Sequence, residues 1–412
     1  MENRVRLCAV RVVLMVGLAA TAAAGEDYVE AIQPKGELPE ERLLDVAIGL
    51  FDPGLGDVDP QGLAKKGLRA AVRKAEARYV AIQLRNTLQS TGQWGAVRVV
   101  PGHVPAAELS VGGSILKSNG KDLELDVRAK DSTGRVWLDK IYKQRADLLA
   151  YSKDRLGALD PFQSLYNRIA NDLVRARDKR SPRELALARE VASLLFAADL
   201  APDPFASYLW TDRKGRETPK RLPAADDPML ARIAGIRDRD QMFVDTLNEY
   251  YGDFYARMDK PYDDWRAYSY QEQVAYDSLH RASLIKKIVG AVAVAIGVFA
   301  INPENDHGAK DVLILGGIAA VQSGFEDGKE SGIHKAALME LADSFEGDVT
   351  PLLVDIDGKI VQLKGSAEAQ YAQWRELLRE LAATDAALPE DINVLPAPVV
   401  VSAEAPAPSA QP

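Results

Sequence analysis

The chain has 412 residues, 47% of them hydrophobic, and its 60 acidic against 51 basic residues give a formal net charge of −9. A chain of that length can bury more than one core, so two or three domains are expected. The acidity argues against nucleic acid as a partner, since such binding is driven by basic surfaces, and suits a soluble or membrane-peripheral protein.

Residues 1–24 stand outside any core. Arg4 and Arg6 form a basic start, Val12–Ala20 is a short apolar run, and Ala22-Ala23-Ala24 offers a small-residue cleavage site before Gly25. The pattern predicts a cleaved signal peptide. An uncleaved membrane anchor is the competing reading, and Arg11 shortens its apolar run. Arg4, Arg6 and Arg11 against Glu2 make this segment +2, so its removal takes the chain from −9 to −11. Cys8, the only cysteine, leaves with it, and the remainder has no disulfide, thiol nucleophile or cysteine metal ligand. A cysteine-free exported protein of this size points to a bacterial periplasm or an outer-membrane-associated location.

A polar lead-in (25–40) precedes the first domain, expected over 41–147. Leu43–Phe51 reads as a buried strand ended by Asp52-Pro53-Gly54, and residues 63–90 have helical periodicity, with Leu68, Val72, Ala75, Tyr79, Ile82 and Leu88 near one face. After Gly92 come four strand signals: "WGAVRVVP", "ELSVGGSILKS", "DLELDVRAKD" and "RVWLDKIYKQ". The third alternates Leu123, Leu125, Val127 and Ala129 with Glu124, Asp126, Arg128 and Lys130. Asn119-Gly120 and Asp131–Gly134 are turn signals. The expectation is a β-α-β-β-β unit with a half-covered antiparallel sheet.

A mainly helical domain is expected over 148–282. It starts with helices in 159–180 and 181–200, the second with Ser181, Pro182 and Glu184 in N-cap, N1 and N3 positions. A polar loop over 203–227 leads into an aromatic-rich helical stretch, 229–281. Its Tyr262, Trp265, Tyr268 and Tyr270 are candidates for stacking on a glycan or a partner, with helix packing as the alternative use. Acidic residues lie between them, which raises a paired-carboxylate glycosidase, but nothing in the sequence marks a buried acidic pair.

Residues 283–345 are expected to form an apolar helical hairpin. Gly290, Ala293, Gly297 and Ala300 recur at spacings of 3, 4 and 3, and Gly316, Ala320, Gly324, Gly328 and Gly332 at every fourth position. Small residues on one helical stripe let another helix approach closely. The uncharged runs Ile288–Ile301 and Val312–Phe325 have 14 residues each, against the ~20 that a span needs. A membrane-associated hairpin through 284–332 and a buried soluble one therefore both stay open. A β-hairpin around Asp357-Gly358 followed by a helix is expected over 346–386, and a Pro/Ala-rich flexible tail over 387–412. The fold class expected for the whole is α+β.

Two resemblances follow from these residues. Gly112-Gly113, Asp131–Gly134 and Trp137, set in 41–147, resemble the α/β domain shared by the amino-terminal part of TolB, the curli secretion channel protein and the lipoproteins that activate penicillin-binding proteins. That resemblance implies a partner-binding module with no catalytic residues to carry over. The stripe in 283–330 resembles the glycine-zipper segments of small outer-membrane proteins, and departs from them at Glu326, Asp327 and Val294.

The histidines, His103, His280, His307 and His334, are not paired at i,i+4, and there is no HExxH, P-loop, G-x-S-x-G or dinucleotide fingerprint. No metal, cofactor or catalytic residue is expected. The function expected is a non-catalytic envelope assembly or scaffolding factor that binds an envelope protein and possesses an option to oligomerise. A peptidoglycan or polysaccharide binder using 243–276 is the alternative, and a cell-wall hydrolase comes behind both.

Overall fold

The computed structural model describes residues 28–56, 70–102, 106–147, 149–151, 159–221, 223–224, 227–297, 351–356, 359–387 and 401–402. It is an α+β protein. The first unit contains β1 (Val46–Gly49), α1 (Ala70–Ser90), β2 (Val97–Val100), β3 (Leu109–Ser118), β4 (Asp122–Asp131) and β5 (Val136–Arg145). The helix and strands follow the expected order, but the unit has one strand more than the expected β-α-β-β-β, and the sheet is mixed rather than antiparallel. Its strand order is β2-β1-β3-β4-β5, with β1 parallel to both β2 and β3. The reason is topological: α1 returns the chain to the start of the sheet, so β2 lies parallel to β1, and only the hairpin-linked strands β3, β4 and β5 alternate in direction. The turn Asn119-Gly120 needs its glycine twice over. Gly120 has φ +75°, and an added Cβ would lie 2.2 Å from the Arg266 carbonyl oxygen.

The inner face of the sheet carries Val46, Ile48, Leu109, Val111, Leu125, Val127 and Ala129, all buried. They pack into one core with α1 and with α2 (Gln163–Asp178). Next along the chain is α3 (Pro182–Leu200), whose capping box is formed: Glu184 N–H donates to Ser181 Oγ, and Ser181 N–H donates to the Glu184 carboxylate. Residues 203–227, expected as a loop, hold the end of a helical turn, Pro202–Phe205, and a hairpin of β6 (Leu209–Thr211) and β7 (Glu217–Pro219). Glu217 N–H donates to the Thr133 carbonyl, which docks that hairpin on the β4–β5 turn.

A second departure from expectation is α4 (Pro228–Gly297), one helix of 70 residues that runs on through Pro261 into the first half of the apolar stretch. Proline removes one intrahelical donor, and the side chains around it, Met258, Tyr262 and Arg266, hold the helix against α1 by burial. Residues 237–244 of α4 lie over the β2 end of the outer sheet face, and residues 251–266 pack on α1. Where α4 passes the free edge of β2, Asn248 takes the place of a neighbouring strand. Its Oδ1 accepts from Val99 N–H at 2.8 Å and its Nδ2 donates to the Val99 carbonyl at 2.9 Å.

The carboxy-terminal unit is β8 (Leu352–Ile356), β9 (Lys359–Leu363) and α5 (Ala367–Ala387). Pairing of Ile356 with Lys359 agrees with the expected hairpin; its turn, Asp357-Gly358, lies outside the described residues. Within the expected tail, β10 (Val401–Ser402) pairs antiparallel with β8. The unit is clamped by Asp240, whose carboxylate accepts from Trp374 Nε1 and Arg375 Nη1, while Arg375 Nη2 donates to Asp199 of α3. Burial pushes the Asp240 carboxyl up, against the pull of Arg375.

Candidate functional site

Among the described residues, the outer face of the sheet has no covering layer over β1, β3, β4 and β5. A trough of about 570 Å³ runs there. Its floor is Ala47 and Gly49 of β1 with Ser110 and Gly112 of β3, where Ala47 pairs with Ser110. Leu50, Val100, Pro101 and Val136 form apolar walls, and Arg128, Lys130 and Asp139 the charged rim. Val136 is 59% exposed. Arg128 Nε is 3.3 Å from Asp139 Oδ1. Lys130 makes no ion pair among the described residues.

The adjoining glycines of β3 separate structure from opportunity. A Cβ on Gly113 would lie 1.9 Å from the Asp126 carbonyl oxygen and 3.1 Å from the Phe51 ring, so packing demands glycine there. A Cβ on Gly112 would meet nothing within 4 Å. The fold itself does not need a bare backbone at Gly112; its effect is to keep the trough floor low.

Asp131 and Trp137 organise the β4–β5 turn. Asp131 Oδ1 accepts from the N–H of Thr133 and of Arg135, and Asp131 Oδ2 accepts from Trp137 Nε1 at 2.7 Å. Gly134 completes the turn at φ +75°. This part of the motif shapes the strand ends and presents no reactive group.

The tyrosine-rich stretch is divided between interior and surface. Tyr262 is 2% exposed, and its hydroxyl donates to the wholly buried Glu76 at 2.6 Å. Its ring packs on Trp265 at 5.8 Å and beneath the Arg266 guanidinium at 4.3 Å. Tyr262 therefore serves packing rather than a glycan platform. Tyr268 donates to Glu272, and Tyr270 packs its ring 5.5 Å from Tyr151.

Around Tyr262 lies a polar hub that the sequence reading did not single out. Asp160 and Arg266 are paired at 2.8 Å, each 2% exposed. Tyr79 Oη lies 3.1 Å from carboxylate oxygens of both Asp160 and Asp259, and its ring stacks on Tyr255 at 4.7 Å. Burial, reinforced by Asp160, pushes the Tyr79 hydroxyl well up. Burial and then Glu76 do the same to Tyr262, and burial pushes Tyr255 up to about 12. Burial works against the charge of Arg266, yet Asp160 and the tyrosines more than offset it. Protonated phenols beside a paired carboxylate and guanidinium make a structural network in which no tyrosine is activated as a nucleophile. The signal for it was Glu76, which falls on the same helical face as Val72 and Tyr79.

Gly290, Ala293 and Gly297 lie within the backbone of α4. Ala300, Gly316, Ala320, Gly324, Gly328 and Gly332 lie outside the described residues. Among the described residues, no helix is long and apolar enough to cross a membrane, and no three His, Cys, Asp or Glu side chains are grouped to hold a metal ion. Comparison with protein families, characterised proteins and solved structures gives no match for this chain.

Proposed function

We propose that this chain is a non-catalytic assembly or scaffolding factor of the bacterial cell envelope that binds a protein partner on the open face of its five-stranded sheet. The observation that carries the reading is the trough whose floor is kept low at Gly112 although none of the described residues occupies the space above it. Apolar walls with a charged rim suit a protein segment better than a small metabolite, and exposed apolar surface rimmed by polar residues marks interaction sites. The signal peptide expected over 1–24 supports an exported, periplasmic or outer-membrane-associated location, and the stripe in 284–332 supports docking on a membrane or a second helix.

The test is in-cell photocrosslinking in a Gram-negative host, with a photoreactive side chain placed at Val136 on the trough wall and, as a control, at Glu376 on α5. One partner band from position 136 and none from 376 is expected, and Lys130→Glu should remove it. No adduct at 136 overturns the reading of the face. Fractionation of the same cells tests the location. Processed protein in the envelope supports it, and full-length protein in the cytoplasm overturns it. Resistance of the envelope fraction to carbonate assigns the stripe to a membrane; release with the periplasm assigns it to a soluble hairpin.

A further inference from the structure

Residues 28–32 run along α2, on the opposite side of the molecule's sheet from the trough. Ser164, Asn167 and Asn171 are spaced three and four residues apart, so they share one stripe of that helix. Ser164 Oγ accepts from Val29 N–H at 3.0 Å, and Asn167 Nδ2 donates to the Val29 carbonyl at 2.7 Å. Asn171 spans the next step: its Nδ2 donates to the Glu30 carbonyl at 2.8 Å, and its Oδ1 accepts from Ile32 N–H at 2.7 Å. From the other flank, Gln93 Nε2 donates to the Ile32 carbonyl at 3.2 Å. These five bonds all go to main chain. Asn167 Nδ2 also lies 3.2 Å from Tyr28 Oη, and Tyr28 is 52% exposed.

Serine and asparagine are weak helix formers because their side chains compete for main-chain groups. Here three of them on one stripe are at most 5% exposed, and a buried amide is tolerable only with its partners in place. The stripe is thus built around the amides of an extended segment, while Ile32 also packs its side chain against the core. We propose that it is a binding site for an extended peptide, read through its main chain, whose resident is residues 28–32, and that the same segment supplied in trans occupies the site once the resident is released. This inference is independent of the outer-face reading.

The test uses the full chain with Val29→Pro and Ile32→Pro, which removes both donated N–H groups, and a fluorescent peptide spanning residues 26–36. Anisotropy should show saturable binding to the double-proline chain about 10-fold or more tighter than to the unaltered chain, whose site is filled. Adding Asn171→Ala should weaken it by about 10-fold, the worth of one or two hydrogen bonds. A peptide N-methylated at Val29 and Ile32 should not bind. Absence of saturable binding, or equal binding of the methylated peptide, overturns the proposal. Should the double-proline chain fail to fold, hydrogen exchange on the unaltered chain decides. Val29 and Ile32 amides exchanging about 100-fold faster than those of β4 supports a displaceable resident, and equal rates overturn it.

Discussion

The inner and outer faces of the same sheet are made by alternate residues of the same strands, yet they are built to different rules. On β4, Leu125, Val127 and Ala129 face inward and are buried, while Asp126, Arg128 and Lys130 face outward. Inward, the buried carboxylates bring partners with them: Glu76 with Tyr262 and Arg73, Asp160 with Arg266. Outward, the floor residues are small and nothing in the described structure sits on them. The lesson is that filled volume and satisfied polarity mark the part that folds the protein, and unfilled volume over small residues marks the part available for another molecule.

The contrast is sharpest at Asp160. Replacing it with Asn leaves Arg266 buried with Asp263 as its one carboxylate partner among the described residues, and we expect a loss of about 3 kcal/mol in urea unfolding, the lower end for a broken buried pair. A loss under about 1 kcal/mol would mean that water reaches the hub and that the inner face is less dry than it looks.

Asn248→Ala comes next. It strips both partners from Val99 at the sheet edge, and should cost about 2 kcal/mol through two unpaired main-chain groups. The bare edge should also make the protein more prone to associate, visible by light scattering.

On the outer face, Gly112→Val should change stability by no more than about 0.5 kcal/mol, because the new side chain enters open space on a strand that favours β-branching. With the photoreactive side chain at Val136, the same substitution should remove the crosslinked partner. A large loss of stability would place Gly112 with Gly113 as a packing residue and erase the distinction between the two faces.

The smallest effect is at the surface capping box of α3. Arg135, followed by the Ser181 main chain and hydroxyl, holds the Glu184 carboxyl down at about 2. A depressed acid contributes stability above its ordinary value, and that contribution goes as pH falls through about 2. Carbon NMR of Glu184 should therefore show a midpoint near about 2, and Arg135→Ala should raise it. An unchanged midpoint in that variant would assign the depression to the cap alone.

Much of this fold was readable from local pattern. The alternation of β4, the turns at Gly120 and Gly134, and the Ser181-Pro182-Glu184 cap each rest on residues adjacent in the chain, and the structure bears them out. Pattern failed where distant segments compete. The polar loop at 203–227 became a hairpin because the Thr133 carbonyl offered Glu217 a partner, and α4 ran through Pro261 because α1 buries the residues on either side. The candidate site was half readable: the glycine pair stood out, but which glycine is structural depended on Phe51 and Asp126, far away in sequence.

By itself, then, the sequence determined the class of the fold, the order of its elements and the chemistry of each strand face, since side-chain periodicity and turn residues act over a few positions. Only the tertiary structure decided that the sheet is mixed, that Tyr262 is interior, that Ser164, Asn167 and Asn171 hold an extended segment, and that none of the described residues covers one face. Each of these depends on which surfaces meet across more than 50 residues, and burial is a property of that meeting rather than of any one residue.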